Sequence, residues 1–215
     1  MSGPIEIGAL DLAALLCSRV CHDLISPVAA IVNGLEVLEE DKDEGAKTFA
    51  LDLIKKSARQ ASAKLQFCRL AFGAAGSAVA QIELGEAEQA ARGMIEDGKT
   101  AIVWNLPRDL LPKNRVKLLL NMLLIATATI PRGGTLSVDP DPGGRGFRIT
   151  ASGINARLTA ATSELLAGNP AQPVDAHVIQ PVYTGILARD CGLALSAAIE
   201  GEAVVVTAAG PENPK

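Results

Sequence analysis

Aromatic side chains are nearly missing from this chain: 3% of its 215 residues are Phe, Trp or Tyr, although 48% are hydrophobic. Such a core must be built from Leu, Ile, Val and Ala, as helix bundles commonly are. The shortage also leaves too little ring surface to stack nucleic-acid bases. Lysine and arginine are scattered without a run, the net charge is −4 and the pI is near 5.3. The basic face that neutralises phosphates is therefore absent, which argues against nucleic acid as a partner. The longest apolar run, Leu118 to Ile130, is broken by Asn121 and Thr127 and falls short of the roughly 20 residues that cross a bilayer. No basic residue precedes Arg19, and Glu6 and Asp11 do, so the apolar run Leu10 to Leu16 lacks the charged start of a signal peptide. Leu16 stands where a lipoprotein signal needs a small residue. These absences predict a cytoplasmic protein with no membrane partner. Cys17 and Cys21 lie four apart, but no second Cys or His pair completes a metal site. The expectation is buried reduced thiols and no metal.

What is present is a long seam. Leu10, Ala14, Cys17, Cys21, Leu24, Val28, Ile31, Leu35 and Leu38 follow at alternating spacings of four and three, which keeps one side of a helix facing one partner. A helix over 10–38, packed along its length, is predicted. His22 follows a seam position by one residue and is turned roughly 100° from the buried line, toward solvent. Five residues on, Pro27 removes a backbone N–H and crowds the carbonyl of Asp23, at a cost of about 3 kcal/mol in a helix interior.

Residues 22–28, HDLISPV, resemble the phosphoacceptor box of two-component histidine kinases, in which a histidine is followed by an acid, an apolar residue and, five on, a proline. The longer string CSRVCHDLISPVAAIVNGLEVLEE, Cys17 to Glu40, resembles the alphaproteobacterial histidine phosphotransferases more closely than any kinase. The resemblance implies that His22 is the phosphoacceptor. Asp23 is placed to orient or deprotonate its imidazole, since an uncharged ring with a free lone pair is what attacks phosphorus. Arg19 and Ser26, three before and four after His22, share its helix face. Arg19 is suited to steadying a phosphoryl group or meeting a partner's acidic pocket; Ser26 stands where kinases with phosphatase activity carry Thr or Asn. Pro27, Ala30 and Asn33 are expected on the partner-binding surface. For each of these residues the alternative is an ordinary solvated helix position.

A second helix is predicted from about Ala46 to Phe72, with Ala50, Ile54, Ser57, Ala61, Leu65, Cys68 and Phe72 on one face and Gly73 at its cap. The short charged connection Asp41 to Gly45 makes the pair an antiparallel hairpin. Two such hairpins make a dimeric four-helix bundle, which the resemblance also implies. A first domain over 1–73, a linker AAGSAVAQ over 74–81 and a second domain over 82–215 follow. In the second, strands are expected at Ile82–Leu84, Ala101–Trp104, Thr135–Val138, Phe147–Ala151, Leu193–Ala198 and Ala203–Ala208. Helices are expected at Glu86–Glu96, Lys113–Ala128, Leu158–Ala167 and Val182–Cys191. The fold class is α+β, with a mostly antiparallel sheet carrying helices on one face.

That element order resembles the ATP-binding α/β sandwich of histidine kinases in degenerate form. Leu120 to Ala126 are similar to the N box, but Ile125 stands where kinases place the Mg²⁺-ligating Asn, and isoleucine offers no oxygen. Ala151 occupies the position of the adenine-reading Asp, with only Gly153 of its glycine pair. Thr184 to Leu187 match half of the phosphate turn, with Gly185 alone, where several glycines would be needed. No ATP and no other cofactor is expected. The function implied is a histidine phosphotransferase: His22 takes a phosphoryl group from the receiver aspartate of a hybrid histidine kinase and passes it to response regulators of the cell cycle. Mg²⁺ would come with the receiver. The alternatives are an ATP-dependent histidine kinase and a pseudokinase adaptor that binds receivers without chemistry. The prolines and glycines of 168–180 mark a loop where kinases carry an ATP lid, and its His177 reads as a surface residue.

Overall fold

The computed structural model describes residues 7–40, 42–73, 80–166, 175 and 178–210. Helix α1 spans Ala9–Glu40 and helix α2 spans Glu44–Ala71. Asp43 starts α2 by accepting the Ala46 N–H at 2.8 Å on its carboxylate, which satisfies one of the four donors every helix start leaves open. Gly73 stops it: its N–H donates to Arg69 O, and a Cβ there would sit 2.2 Å from that oxygen.

The two helices pack closely because small residues line the contact. Gly34 and Pro27 are the buried residues of α1, opposite Ala50, Ser57 and Ala61 of α2. A Cβ on Gly34 would lie 2.7 Å from Ile54 Cγ1. The packed line therefore runs through Leu16, Val20, Pro27, Gly34 and Leu38, which recur on one side of a helix. This corrects the expected seam in part. Leu10 is 87% exposed, Val28 48% and Leu35 46%, and Cys17 and Cys21 are exposed free thiols rather than buried ones. Leu24, Ile31 and Leu38 of the expected seam are half-buried and border the packed line, whereas Ala14, Cys21, Val28 and Leu35, its other row, are exposed. With that row uncovered, α1 is by length and composition a helix that could cross a membrane, a test that the core helix of a soluble protein also passes.

Beyond α2, strand β1 (Gln81–Glu83) leads into α3 (Leu84–Ile95), then β2 (Thr100–Trp104), β3 (Leu110–Pro112), α4 (Lys113–Thr129), β4 (Gly134–Pro140), β5 (Phe147–Ser152), α5 (Ala160–Leu166), α6 (Ile179–Asp190), β6 (Ala194–Glu200) and β7 (Ala203–Ala209). Five strands form a sheet in the order β2-β4-β5-β7-β6, parallel between β2 and β4 and antiparallel elsewhere. β1 pairs with β3. Alternation places Phe147, Ile149 and Ala151 of β5 and Val204, Val206 and Ala208 of β7 inward, against α4, whose residues from Leu118 to Leu123 are all fully buried. The β6–β7 hairpin turns on Gly201, at φ 62°, where L side chains are strained.

Three expectations shift. Leu84 is not strand but the first, buried residue of α3. β3 is an addition to the expected strands, being three residues long and ending in Pro112. α6 begins at Ile179, ahead of Pro181, because a proline in the first turn gives up an N–H that has no helical acceptor anyway. Of the expected linker, 74–79 lies outside the described residues and Gln81 belongs to β1.

The hairpin is joined to the sheet unit by continuous core. Phe67, Leu70 and Ala71 of α2 share a buried cluster with α3, α4 and the sheet, while Leu12, Leu15 and Leu16 of α1 pack against Leu165, Ile179 and Val182. Asn121, wholly buried, donates from Nδ2 to Ala71 O at 3.0 Å and Lys117 O at 2.7 Å and accepts from Gln180 Nε2. One side chain thus ties the end of α2 to α4 and α6.

Candidate functional site

The turn of α1 from Arg19 to Pro27 carries the candidate residues, and its backbone is completed from the other helix. Pro27 has no N–H for the Asp23 carbonyl. Lys64 of α2 supplies the missing donor, its Nζ lying 2.8 Å from Asp23 O. The carbonyl that proline orphans is thereby satisfied, and a cation is fixed beside Asp23.

The Asp23 side chain is shared between two neighbours. Arg19 Nε donates to Oδ2 at 3.2 Å, and His22 Nδ1 lies 3.4 Å from Oδ1. Exposure is graded: 70% for the His22 side chain, 25% for Arg19 and 18% for Asp23. The carboxylate is thus held in a half-buried position while the imidazole stands in solvent. In the tautomer protonated at Nδ1 the ring would donate to Asp23 and carry its lone pair on Nε2.

Ser26 and Asn33 are exposed and Ala30 is half-buried, so these three remain available on the His22 side of α1. Pro27, expected on the partner-binding surface, is instead buried against α2; its part is to break the hydrogen-bond ladder that Lys64 repairs. His22 and the uncovered stripe of Val28 and Leu35 occupy different sides of α1, about 120° apart, so a globular partner at His22 and an apolar partner on the stripe need not compete. Sequence reasoning missed Lys64, 41 residues from Asp23; the signal available was Pro27 itself, which requires a donor from elsewhere. It also missed the setting of Cys68, one turn beyond Lys64, whose buried thiol is pushed up to about 11 by burial first and by the charge of Asp23 second.

The residues compared with a nucleotide site take other places in the second unit. Ile125 is 3% exposed and Ala151 fully buried, both in the core. Gly153 is kept for packing, since a Cβ there would lie 2.4 Å from Gly133 O. Thr184, Gly185, Ile186 and Leu187 form not a phosphate turn but the middle of α6. A cavity of about 210 Å³ remains between α4, α5 and α6, lined by Leu124, Ile125, Thr129, Thr162 and Gln180, with Arg19 of α1 in its wall. His177, with most of the expected 168–180 loop, lies outside the described residues.

Residues 84–203 match the model of the histidine phosphotransferase C-terminal domain. Over 214 residues the chain is 51% identical to the protein phosphotransferase ChpT of Brucella abortus (strain 2308), covering 97% of this chain and 100% of that one. Its fold is similar to a solved bacterial phosphotransferase, with a TM-score of 0.86 at 49% identity, over 96% of this chain and 100% of that structure.

Proposed function

We propose, from the premise that this chain belongs to the histidine phosphotransferase family, that His22 accepts a phosphoryl group from the aspartyl phosphate of one receiver domain and yields it to the aspartate of another. The observation that carries this reading is the solvent-facing His22 whose Nδ1 meets a carboxylate pinned by Arg19, on a turn that Lys64 completes. The Nε2 lone pair attacks phosphorus in line, from about 3 to 3.5 Å. A N–P bond forms as the P–O bond to the receiver's aspartate breaks, and that carboxylate leaves. Asp23 balances the charge that the ring gains while Nδ1 keeps its proton. Reversal against a second receiver completes the relay.

An acyl phosphate and a phosphoramidate are close enough in energy for exchange in either direction, so the reaction needs positioning and charge rather than ATP. The core placement of Ile125 and Ala151 supports a protein without nucleotide or resident metal; Mg²⁺ arrives with the receiver. The donor is the receiver of a hybrid histidine kinase, and the acceptors are response regulators of the cell cycle. The protein works in the cytoplasm as a homodimer. The uncovered stripe of α1, together with Leu51, Ala58 and Leu65 at seven-residue spacing on α2, all exposed, supports a four-helix bundle.

The test is incubation with a radiolabelled phosphorylated receiver. Label on this chain that is acid-labile and base-stable is expected. His22→Gln should bind the receiver with unchanged affinity and take up none, and Asp23→Asn should accept label more slowly by roughly 10². Receiver binding without label on the unsubstituted protein identifies an adaptor and ends the relay reading.

A further inference from the structure

The two edges of the five-stranded sheet are finished differently. β2 forms one edge and β6 the other. On β2, backbone groups that do not pair with β4 are taken up by side chains. Glu96 accepts the Ile102 N–H at 3.1 Å, Arg92 donates to Ile102 O at 2.9 Å, and Asp97 accepts the Thr100 N–H at 3.1 Å. Arg92 and Glu96 are in turn paired with each other at 2.7 Å. That edge is closed to another strand, which is how folded proteins avoid joining edge to edge.

β6 carries no such device. Its residues Ala194–Glu200 run ALSAAIE, with neither the lysine nor the proline that blunts an edge. The hairpin sets Glu200 against Ala203 across the turn of Gly201 and Glu202, and a pair that flanks a two-residue turn exchanges its hydrogen bonds. Alternation then gives the N–H and C=O of Ser196 and Ala198 to β7 and turns those of Leu195, Ala197 and Ile199 outward. Among the described residues these outward groups have no hydrogen-bond partner. Ile199 is also 60% exposed, although it lies on the same side of the sheet as its buried partner Val204.

What fits this edge is β6 itself. Turned about a twofold at Ala197, a second β6 runs antiparallel and sets Ala197 against Ala197 and Leu195 against Ile199. Every outward residue then meets an outward residue, and about six hydrogen bonds form. Moving the twofold by one residue leaves Leu195 or Ile199 unmatched. In the matched register the half-buried Leu195 of one copy covers the exposed Ile199 of the other. The one charge on the strand, Glu200, falls against Ala194. Its two copies stand at opposite ends, about 20 Å apart, so no like charges oppose each other.

We propose that β6 is a self-complementary docking edge, on which a second copy of this chain adds its own β6 to make one continuous sheet. The contact lies on the second unit, on a different element from the stripe of α1, and rests on neither the relay nor the bundle. Where the bundle also forms, each pair of chains keeps two free edges, and edge pairing joins pairs into longer arrays. A contact of this size is weak and forms above about 0.1 mM.

The experiment is amide hydrogen exchange of the full chain at about 10 µM and about 1 mM, which reads the edge residue by residue. At the higher concentration the amides of Leu195, Ala197 and Ile199 should slow by roughly tenfold or more, while those of Ser196 and Ala198, already bonded to β7, should not change. Sedimentation over the same range should show the mass found at low concentration doubling or more; in Val28→Asp, whose change lies on the α1 stripe, growth should stop at one doubling. Ile199→Lys should abolish both the slowing and the growth and leave label transfer from a receiver intact. Val103→Lys, on the closed β2 edge where Val103 is 45% exposed, should change neither. Outward amides that exchange at the same rate at both concentrations, that are already slow at the lower one, or that slow equally in Ile199→Lys overturn the proposal. So does slowing that appears only when a receiver is added, which identifies another occupant. A chain that shows the alternating slowing but takes no label ends the relay reading and leaves this edge standing.

Discussion

The Lys64–Asp23 contact allows a double-mutant test of how the acceptor turn is held together. Lys64→Met keeps the stem that packs between the helices and removes the ammonium. The Asp23 carbonyl, already without its helical donor because of Pro27, then has no partner in a half-buried setting. Losing a charge-assisted bond and stranding its acceptor costs about 1.5–3 kcal/mol. Pro27→Ala restores the backbone N–H, so in that background the same Lys64→Met change should cost below about 0.5 kcal/mol, the level of an ordinary surface substitution. The predicted coupling is therefore about 1.5 kcal/mol, within the range of contacting residues. Urea midpoints of the four proteins at one fixed chain concentration measure it, the concentration being held because self-association adds to apparent stability. If the two changes add to within about 0.5 kcal/mol, the lysine is not replacing the proline's missing donor.

Other expectations follow from the same structure. Val28→Asp puts a charge on the uncovered stripe of α1, where Val28 is 48% exposed in the single chain; sedimentation should show folded monomers in place of dimers, and a monomeric unsubstituted protein at micromolar concentration would rule out the bundle. Gly185 sits inside α6, where an added Cβ would meet only Arg189 Nη1, at an unstrained 3.7 Å, so Gly185→Ala should stabilise by about 0.5–1 kcal/mol in urea unfolding, whereas a glycine needed for phosphate would tolerate no such gain. Calorimetric titration with ATP and Mg²⁺ should give no saturable heat, and micromolar affinity, about −8 kcal/mol, would contradict the proposal of a relay without nucleotide. Cys68 is raised from 9.0 to about 11 by burial and by Asp23: the unfolded thiol ionises first, so its contribution to stability is complete below about pH 9 and is lost as pH climbs toward 11. A Cys68→Ala protein should lack that part of the alkaline decline.

The grouping of the candidate residues was legible because its determinants are local. His22, Asp23, Arg19 and Ser26 lie within two helical turns, and helical spacing alone groups them. Which apolar stripe of α1 meets α2 was not legible, since two stripes compete and the deciding residues are the least hydrophobic ones: Gly34 and Pro27 are buried because they let the helices approach, not because they are apolar. The same blindness hid Lys64, whose partner is a carbonyl and therefore carries no sequence signal beyond the proline that freed it. Asn121 is the sharper case. Its sequence context resembles the N box of histidine kinases, which points a reader to a nucleotide. In the fold Asn121 holds the last carbonyl of α2 against α4 and α6 in a buried network. An unpaired buried amide is expensive, so a residue in that position must keep every bond it makes. That requirement binds the hairpin that carries His22 to the second unit: the helix that carries Lys64 ends on Asn121, and the partner of Asn121, Gln180, lines the cavity whose wall includes Arg19. The second unit thus fixes the frame in which His22 is presented.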